Sequence, residues 1–474
     1  MTPEHQIEAF VKEFVKDLEN DAVAVFAGAG MSKSSGYVDW PELLSDIAAE
    51  LGLKIEREHD LISLAQFHVN HRKTGDGLAK KILEEFSHQA ESSPVHEILA
   101  RLPIHTYWTT NYDTLIEDAL RNAYRVPDIK YHNEHLTTTK PKRDAVVYKM
   151  HGDVTFPKSA VLCKEQYEKY HSTHAPFVAA LSGDLIAKTF LFIGFSFTDP
   201  NLDYVLSRLH VFADKKRTHY CFMREVQKDP KDDNEMFAYK QRKQALRTDD
   251  LKRFGIQTLL VDEYSDIPKI LQRIELRFRK KTIFVSGSAE EYGAWPRQEA
   301  LNFIHVLAAE SVKANFRVVN GFGWGVGSSV INGALDAIYG NPSKYSEDQL
   351  IVRPFPQHGG NLPVLWEEYR QRMISLAGIA IFVFGNKTDA GSVVDANGVR
   401  REFEIAIQHG LVPIPVAATG YMAKQLWDEV VADPAKFYPG MDWLVPLIKG
   451  LEARAPSDAN LVSRIIAIVK ALNK

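Results

Sequence analysis

The chain has 474 residues, 25% of them charged and 45% hydrophobic, with a formal net charge of −4. At about 150 residues per domain this length predicts two to four domains, and the ordinary globular balance excludes disorder as the main state. Two cysteines, Cys163 and Cys221, exclude a disulfide scaffold and a four-cysteine zinc ribbon. The slight acidic excess argues against a nucleic-acid binder.

The N-terminus, MTPEHQIEAF, carries charges where a signal peptide needs an apolar core. The longest apolar runs, such as Thr189–Phe197 and Ala377–Phe384, are strand-length and fall short of the roughly 20 residues a membrane helix needs. A reducing, cytoplasmic location without membrane contact is the expectation.

In chain order, Ile7, Phe10, Val11, Phe14, Val15 and Leu18 recur at helical spacing and form one apolar stripe. Such a stripe is buried either within its own domain or against another subunit. Short apolar strands then alternate with helices. Ala22–Phe26 enters the turn AGAGMS, His105–Thr109 enters TTNYD, Ala145–Met150 enters HGD, and Thr189–Ile193 enters GFSFTDPNL. Tyr220–Met223 and Gln257–Val261 add two more strands. Alternation of this kind predicts a doubly wound parallel sheet, and near-continuous apolar strands agree, because parallel strands are covered on both faces. Between residues 213 and 253, 20 of 41 residues are charged, 12 basic and 8 acidic. Mixed signs at this density read as a solvated helical excursion. A helix near Ile267–Phe278 ends in a basic cluster, and the strand pattern restarts at KTIFVSGSAEEYG. Strands are expected at Thr282–Val285, Phe316–Val319, Leu350–Val352, Ile379–Phe384 and Pro413–Ala417. The reading is therefore α/β, with two doubly wound, Rossmann-like domains over 1–280 and 281–474.

Ligands of open α/β sheets bind at the carboxyl ends of strands. Gly28-Ala29-Gly30-Met31-Ser32 puts two glycines where a strand turns into a helix, which suits backbone approach to a phosphate and equally a plain tight turn. Asn111 and Asp113 leave the second strand, where either can cap the following helix; capping is the commoner use for Asp113 and the rarer one for Asn111. His151, followed by Gly152, is expected to be accessible and to titrate near neutrality. Gly194-Phe195-Ser196 leaves room for a ligand. In the second domain, Gly287 and Ser288 end a strand. Asn320–Ser328 is glycine-rich enough to favour phosphate or ribose contact over a plain loop. Arg370, Lys387 and Glu402 taken singly read as surface charges.

The four segments GAGMS, TTNYD, HGD and GFS, in this order, resemble the sirtuin family, which binds NAD at these strand ends and attacks the nicotinamide–ribose bond. Sirtuin deacylases also carry a four-cysteine zinc ribbon, which this chain cannot build, so the resemblance points to NAD cleavage rather than deacylation. By it, Asn111 and His151 are the catalytic pair, and Gly28, Ala29, Gly30, Ser32, Asp113, Gly152 and Ser196 hold NAD as substrate.

The second half resembles the SLOG family, nucleotide-sensing relatives of phosphoribohydrolases that use a PGGxGTxxE motif. Here GNKTDAGSVVDANGVRREF stands in that place without the PGG, which points to sensing rather than catalysis. The combination, with stretches such as LARLPIHTYWTTNYD, YKMHGDV, RPFP and ATGY, resembles the effectors of the Thoeris antiphage system. That resemblance implies an NAD hydrolase without metal or further cofactor. It is switched on when a TIR-domain partner protein makes a cyclic ADP-ribose isomer. Gly287, Ser288, Gly323, Gly325, Arg370, Lys387 and Glu402 would hold that activator. The resemblance also implies a homotetramer or filament, and with it an intersubunit use of the N-terminal stripe. Competing readings are a nucleotide-binding signalling module without turnover, an N-glycosidase in the second domain and a protein deacylase; the missing PGG and the cysteine count weigh against the last two.

Overall fold

The computed structural model describes residues 3–88, 90–212, 217–452 and 460–473. The chain divides into two compact units, residues 1–275 and 276–474. The first holds seven parallel strands: β1 Val23–Ala27, β2 Thr106–Thr109, β3 Pro127–Lys130, β4 Ala145–Lys149, β5 Thr189–Ile193, β6 His219–Arg224 and β7 Ile256–Val261. Their spatial order is β3-β4-β2-β1-β5-β6-β7. The chain winds outward from β1 through β2 to β3 and β4, then crosses to β5. The sheet's topological switch point therefore lies between β1 and β5, where a ligand crevice opens in such sheets. Both switch-point strands are buried along their whole length, as central parallel strands are.

The second unit holds β8 Thr282–Ser288, β9 Arg317–Asn320, β10 Leu350–Val352, β11 Ile379–Phe384, the hairpin β12 Asn386–Asp389 and β13 Ser392–Asp395, and β14 Val412–Pro415. Its parallel sheet runs β10-β9-β8-β11-β14, which places the switch point between β8 and β11.

All the expected strands are present, within one or two residues at their ends except β8, which runs three residues further, to Ser288. Three were not legible. Strand β3 reads PDIK, a proline followed by charges. It lies at the sheet edge, where a missing N–H is tolerated, and its Lys130 ammonium sits 2.8 Å from Asp128 Oδ1. The β12–β13 hairpin is largely exposed and polar, so it carries no apolar alternation.

The N-terminal helix spans Pro3–Glu19, and its six stripe residues are between 0% and 8% exposed. Phe10 packs its ring 4.6 Å from that of Tyr220 and 5.8 Å from that of Phe222, on β6. This corrects the expected intersubunit use of the stripe: the first unit's own sheet covers these six side chains. The charged stretch forms the helix Asn234–Lys252, whose buried residue is Leu251; residues 213–216 of that stretch lie outside the described residues. No helix among the described residues is long and apolar enough to cross a membrane.

Candidate functional site

In the first unit the carboxyl ends of β1 and β5 interlock. Gly28 N–H donates to Ile193 O at 2.9 Å and Gly30 N–H to Gly194 O at 3.0 Å. A Cβ on Gly28 would stand 2.5 Å from Gly194 O, and one on Gly194, at φ +64°, would stand 2.1 Å from Met31 N. The glycines of GAGMS thus permit two backbones to touch. The amides of Gly28 and Gly30, expected to be free for a phosphate, are already bonded to the neighbouring loop.

Above this contact opens a cavity of about 1360 Å³, larger than the 300–1,000 Å³ typical of small-ligand pockets. Of the expected residues, Ala29, Gly30, His151 and Ser196 lie on its wall, whereas Gly28, Ser32, Asn111, Asp113 and Gly152 do not. Asn111 is 9% exposed, one residue beyond Thr110, which does line the cavity. Its Nδ2 donates to Gly28 O at 3.1 Å and to Ser32 Oγ at 2.8 Å. A backbone carbonyl can only accept, so the amide orientation is fixed. Both Nδ2 hydrogens are committed, and the carboxamide oxygen is left as an acceptor.

His151 is 1% exposed. Its Nε2 faces Asn201 Nδ2 at 3.3 Å and Asp199 Oδ2 at 3.4 Å, and its Nδ1 lies 3.4 Å from the Tyr167 hydroxyl. Burial pushes the imidazole below its ordinary pKa, opposed by the Asp199 carboxylate. This corrects the expectation of an accessible histidine titrating near neutrality: the ring is enclosed by Tyr167 and Tyr170, with centroids at 5.2 and 6.1 Å. Asp199, Asn201 and Tyr167 were not singled out from the sequence. Asp199 stands just before the helix Pro200–Phe212, and its Oδ1 accepts from Asn201 N and Leu202 N at 3.0 Å. Its second oxygen turns to His151.

Asp113 makes the local contact that capping predicts, with Oδ1 accepting from Leu115 N at 3.0 Å, while Oδ2 is buried without a hydrogen bond. Beneath it lies a charge cluster invisible to motif reading. Lys149 is fully buried and donates to the carbonyls of Asp113 at 2.6 Å and Tyr112 at 3.1 Å. It also pairs with Asp153, and Glu117 Oε1 stands 3.1 Å away, outside hydrogen-bonding alignment. Burial opposes the ammonium, yet Glu117, Asp153 and Asp113 together hold its pKa above the usual lysine range. Gly152, at φ +96°, makes the turn between His151 and Asp153, and a Cβ there would meet Ala160 Cα at 3.1 Å.

In the second unit, glycines again serve close packing. A Cβ on Gly323 would fall 2.1 Å from Gly287 O, one on Gly325, at φ +69°, 2.0 Å from Ala289 O, and one on Gly287 2.5 Å from Val383 O. Ser288 Oγ donates to Asn386 O at 2.9 Å, which ties the end of β8 to the start of β12. Glu402 and Arg370 are not the surface charges they look like in the sequence. Glu402 is 9% exposed and accepts from Ser286 Oγ at 2.6 Å, and burial raises its carboxyl pKa against the pull of Ser286 and Arg370. Arg370 Nε lies 3.8 Å from Glu402 Oε1 without a hydrogen bond, and its guanidinium lies 5.0 Å from the centroid of the Phe355 ring. Lys387 is exposed on β12.

Two family models match the chain, a SIR2-like domain over residues 105–246 and the Sir2- and TIR-associating SLOG family over residues 266–472. Three curated relatives are similar over nearly their full length. The NAD(+) hydrolase ThsA of Bacillus cereus (strain MSX-D12) is 48% identical over 98% of both chains. That of Cytobacillus dafuensis is 47% identical over 98% of this chain and 96% of its own. That of Enterococcus faecium is 40% identical over 98% of both.

Proposed function

This chain belongs to the ThsA family of NAD(+) hydrolases, and we propose that its first unit hydrolyses NAD to nicotinamide and ADP-ribose in the cavity at the β1–β5 switch point. The observation that carries this reading is a buried histidine on the cavity wall with a carboxylate beside it. The nicotinamide–ribose C–N bond breaks and nicotinamide leaves with the electron pair, so positive charge develops on the ribose as in other glycosidic cleavages. A water then attacks C1′ and loses its proton to His151, which Asp199 stabilises as it becomes charged. The Asn111 carboxamide oxygen accepts from a ribose hydroxyl or from that water, and so orients it. Ala29, Gly30 and Ser196 face the substrate from the wall. Gly28, Ser32, Asp113 and Gly152 keep these groups in place from behind it.

The second unit is read as the sensor. A cyclic ADP-ribose isomer made by a TIR-domain partner binds at the β8–β11 switch point among Gly287, Ser288, Gly323, Gly325, Arg370, Lys387 and Glu402, and raises NAD hydrolysis. The description of the matching SLOG family as Sir2- and TIR-associating supports this, as does the Arg370 Nε, buried without a hydrogen bond. The setting is cytoplasmic antiphage defence by a homotetramer or filament that depletes cellular NAD.

The test is nicotinamide release from NAD by the full chain, with and without candidate cyclic ADP-ribose isomers. His151→Ala and Asn111→Ala are each expected to lower the rate at least 100-fold, within the range of general acid–base contributions, while the far-ultraviolet circular dichroism stays as in the parent. Parental turnover in either variant removes that residue from the mechanism.

A further inference from the structure

Among the described residues, the lysine and arginine side chains on the wall of the first unit's cavity are Lys33 and Arg247. They are not equivalent. The Lys33 ammonium pairs with Asp39 and lies 3.3 Å from Glu42 Oε1, so its charge is compensated twice. Arg247, on the exposed helix Asn234–Lys252, donates through Nη2 to the carbonyl of Ser196. A carbonyl leaves the guanidinium's charge uncompensated and most of its five N–H donors unused. Asp199, Asp203 and Asp250 share with it a small neighbouring cavity of about 80 Å³. None of them forms an ion pair with it among the described residues.

NAD carries a diphosphate between its two ribose groups. The backbone amides usually recruited at such a strand–helix turn are engaged here, because Gly28 and Gly30 donate to Ile193 and Gly194. We propose that Arg247 supplies the missing anion contact and binds the diphosphate of NAD from the β5 side of the cavity, exchanging its bond to Ser196 O for charge-assisted bonds to phosphate oxygens. Its planar fork suits a phosphate better than the point charge of a lysine. The helix that reads as a purely solvated excursion thereby contributes a substrate-binding residue. The inference rests on the proposed NAD site and names the group that recognises the diphosphate portion of its substrate.

The experiment uses the full chain and compares NAD turnover with inhibition by ADP-ribose, which keeps the diphosphate, and by nicotinamide, which lacks it. Arg247→Ala is expected to raise both the KM for NAD and the inhibition constant of ADP-ribose on the order of 10- to 100-fold, the range of a hydrogen bond to a charged group. The kcat should change much less, and the nicotinamide constant should stay within about twofold. Arg247→Lys should recover part of the loss. Unchanged constants for NAD and ADP-ribose overturn the proposal. So does an equal weakening of ADP-ribose and nicotinamide, which would place the role of Arg247 in shaping the Ser196 loop. A parent that releases no nicotinamide from NAD refutes the hydrolase reading instead, and equilibrium binding of ADP-ribose to parent and Arg247→Ala then decides the inference by itself.

Discussion

His151 can accept a proton only while it is neutral, and its surroundings decide when that is. Enclosure by Tyr167 and Tyr170 lowers its pKa, and Asp199 opposes that shift. The folded pKa therefore lies below the ordinary histidine value of about 6.5, and protonation removes the base only at more acid pH. The pH profile of kcat/KM should be flat above about 6.5 on its acid side and fall as the pH drops through the depressed value. Asp199→Asn removes the opposing carboxylate, so the acid limb should move further down. An acid limb centred above 6.5 in the parent would contradict the burial argument. The identity of His151 as a candidate was legible from HG at a strand end; its protonation was not, because the residues that enclose it lie 16 to 50 positions away.

At the scale of elements, two strand-end loops have to hold the proposed catalytic groups in one arrangement. Lys149, the last residue of β4, grips the carbonyls of Tyr112 and Asp113 after β2 and the carboxylate of Asp153 after its own strand. One buried ammonium thus fastens the Asn111 loop to the His151 turn. Removing one partner of a buried charge cluster costs about 3–5 kcal/mol, because the others are left uncompensated. Lys149→Met should lower the stability of the first unit by that order, read from its urea transition. Adding Glu117→Gln should recover part of it by removing one orphaned carboxylate. A Lys149→Met chain as stable as the parent would show that the cluster relaxes to let water in. In the sequence YKMHGD the lysine sits within a run of strand residues and signals nothing. Of the three acids that trap it, only Asp153 is near in sequence; Asp113 and Glu117 come from the segment after β2, more than 30 positions earlier.

At the scale of the whole molecule, each unit places its candidate site at its own switch point, β1–β5 in one and β8–β11 in the other. Under the proposed regulation, a signal bound in the second unit can raise catalysis in the first only by its difference in affinity for the active and resting states. Arg370→Ala removes a cationic contact from the signal site. It should abolish the increment in NAD hydrolysis that the cyclic ADP-ribose isomer produces, or shift it to at least 10-fold higher isomer concentration. A titration of nicotinamide release against isomer concentration measures this, and a dose–response curve equal to the parent's would exclude Arg370 from sensing.

The order of elements, the two parallel sheets and the strand ends that carry polar residues were determined by the sequence alone. Apolar runs of strand length, helical periodicity and turn residues act over a few positions, so they can be read locally. The same holds for the motif order that marks the family. What only the tertiary structure decided depends on groups far apart in the chain. It assigned the glycines of both loops to backbone contact and turned the N-terminal stripe inward onto β6. It buried Glu402 against Ser286, 116 positions away, and brought Arg247 from a solvated helix to the cavity wall. Burial and proximity set charge, access and hydrogen bonding, and neither is a property of any one segment.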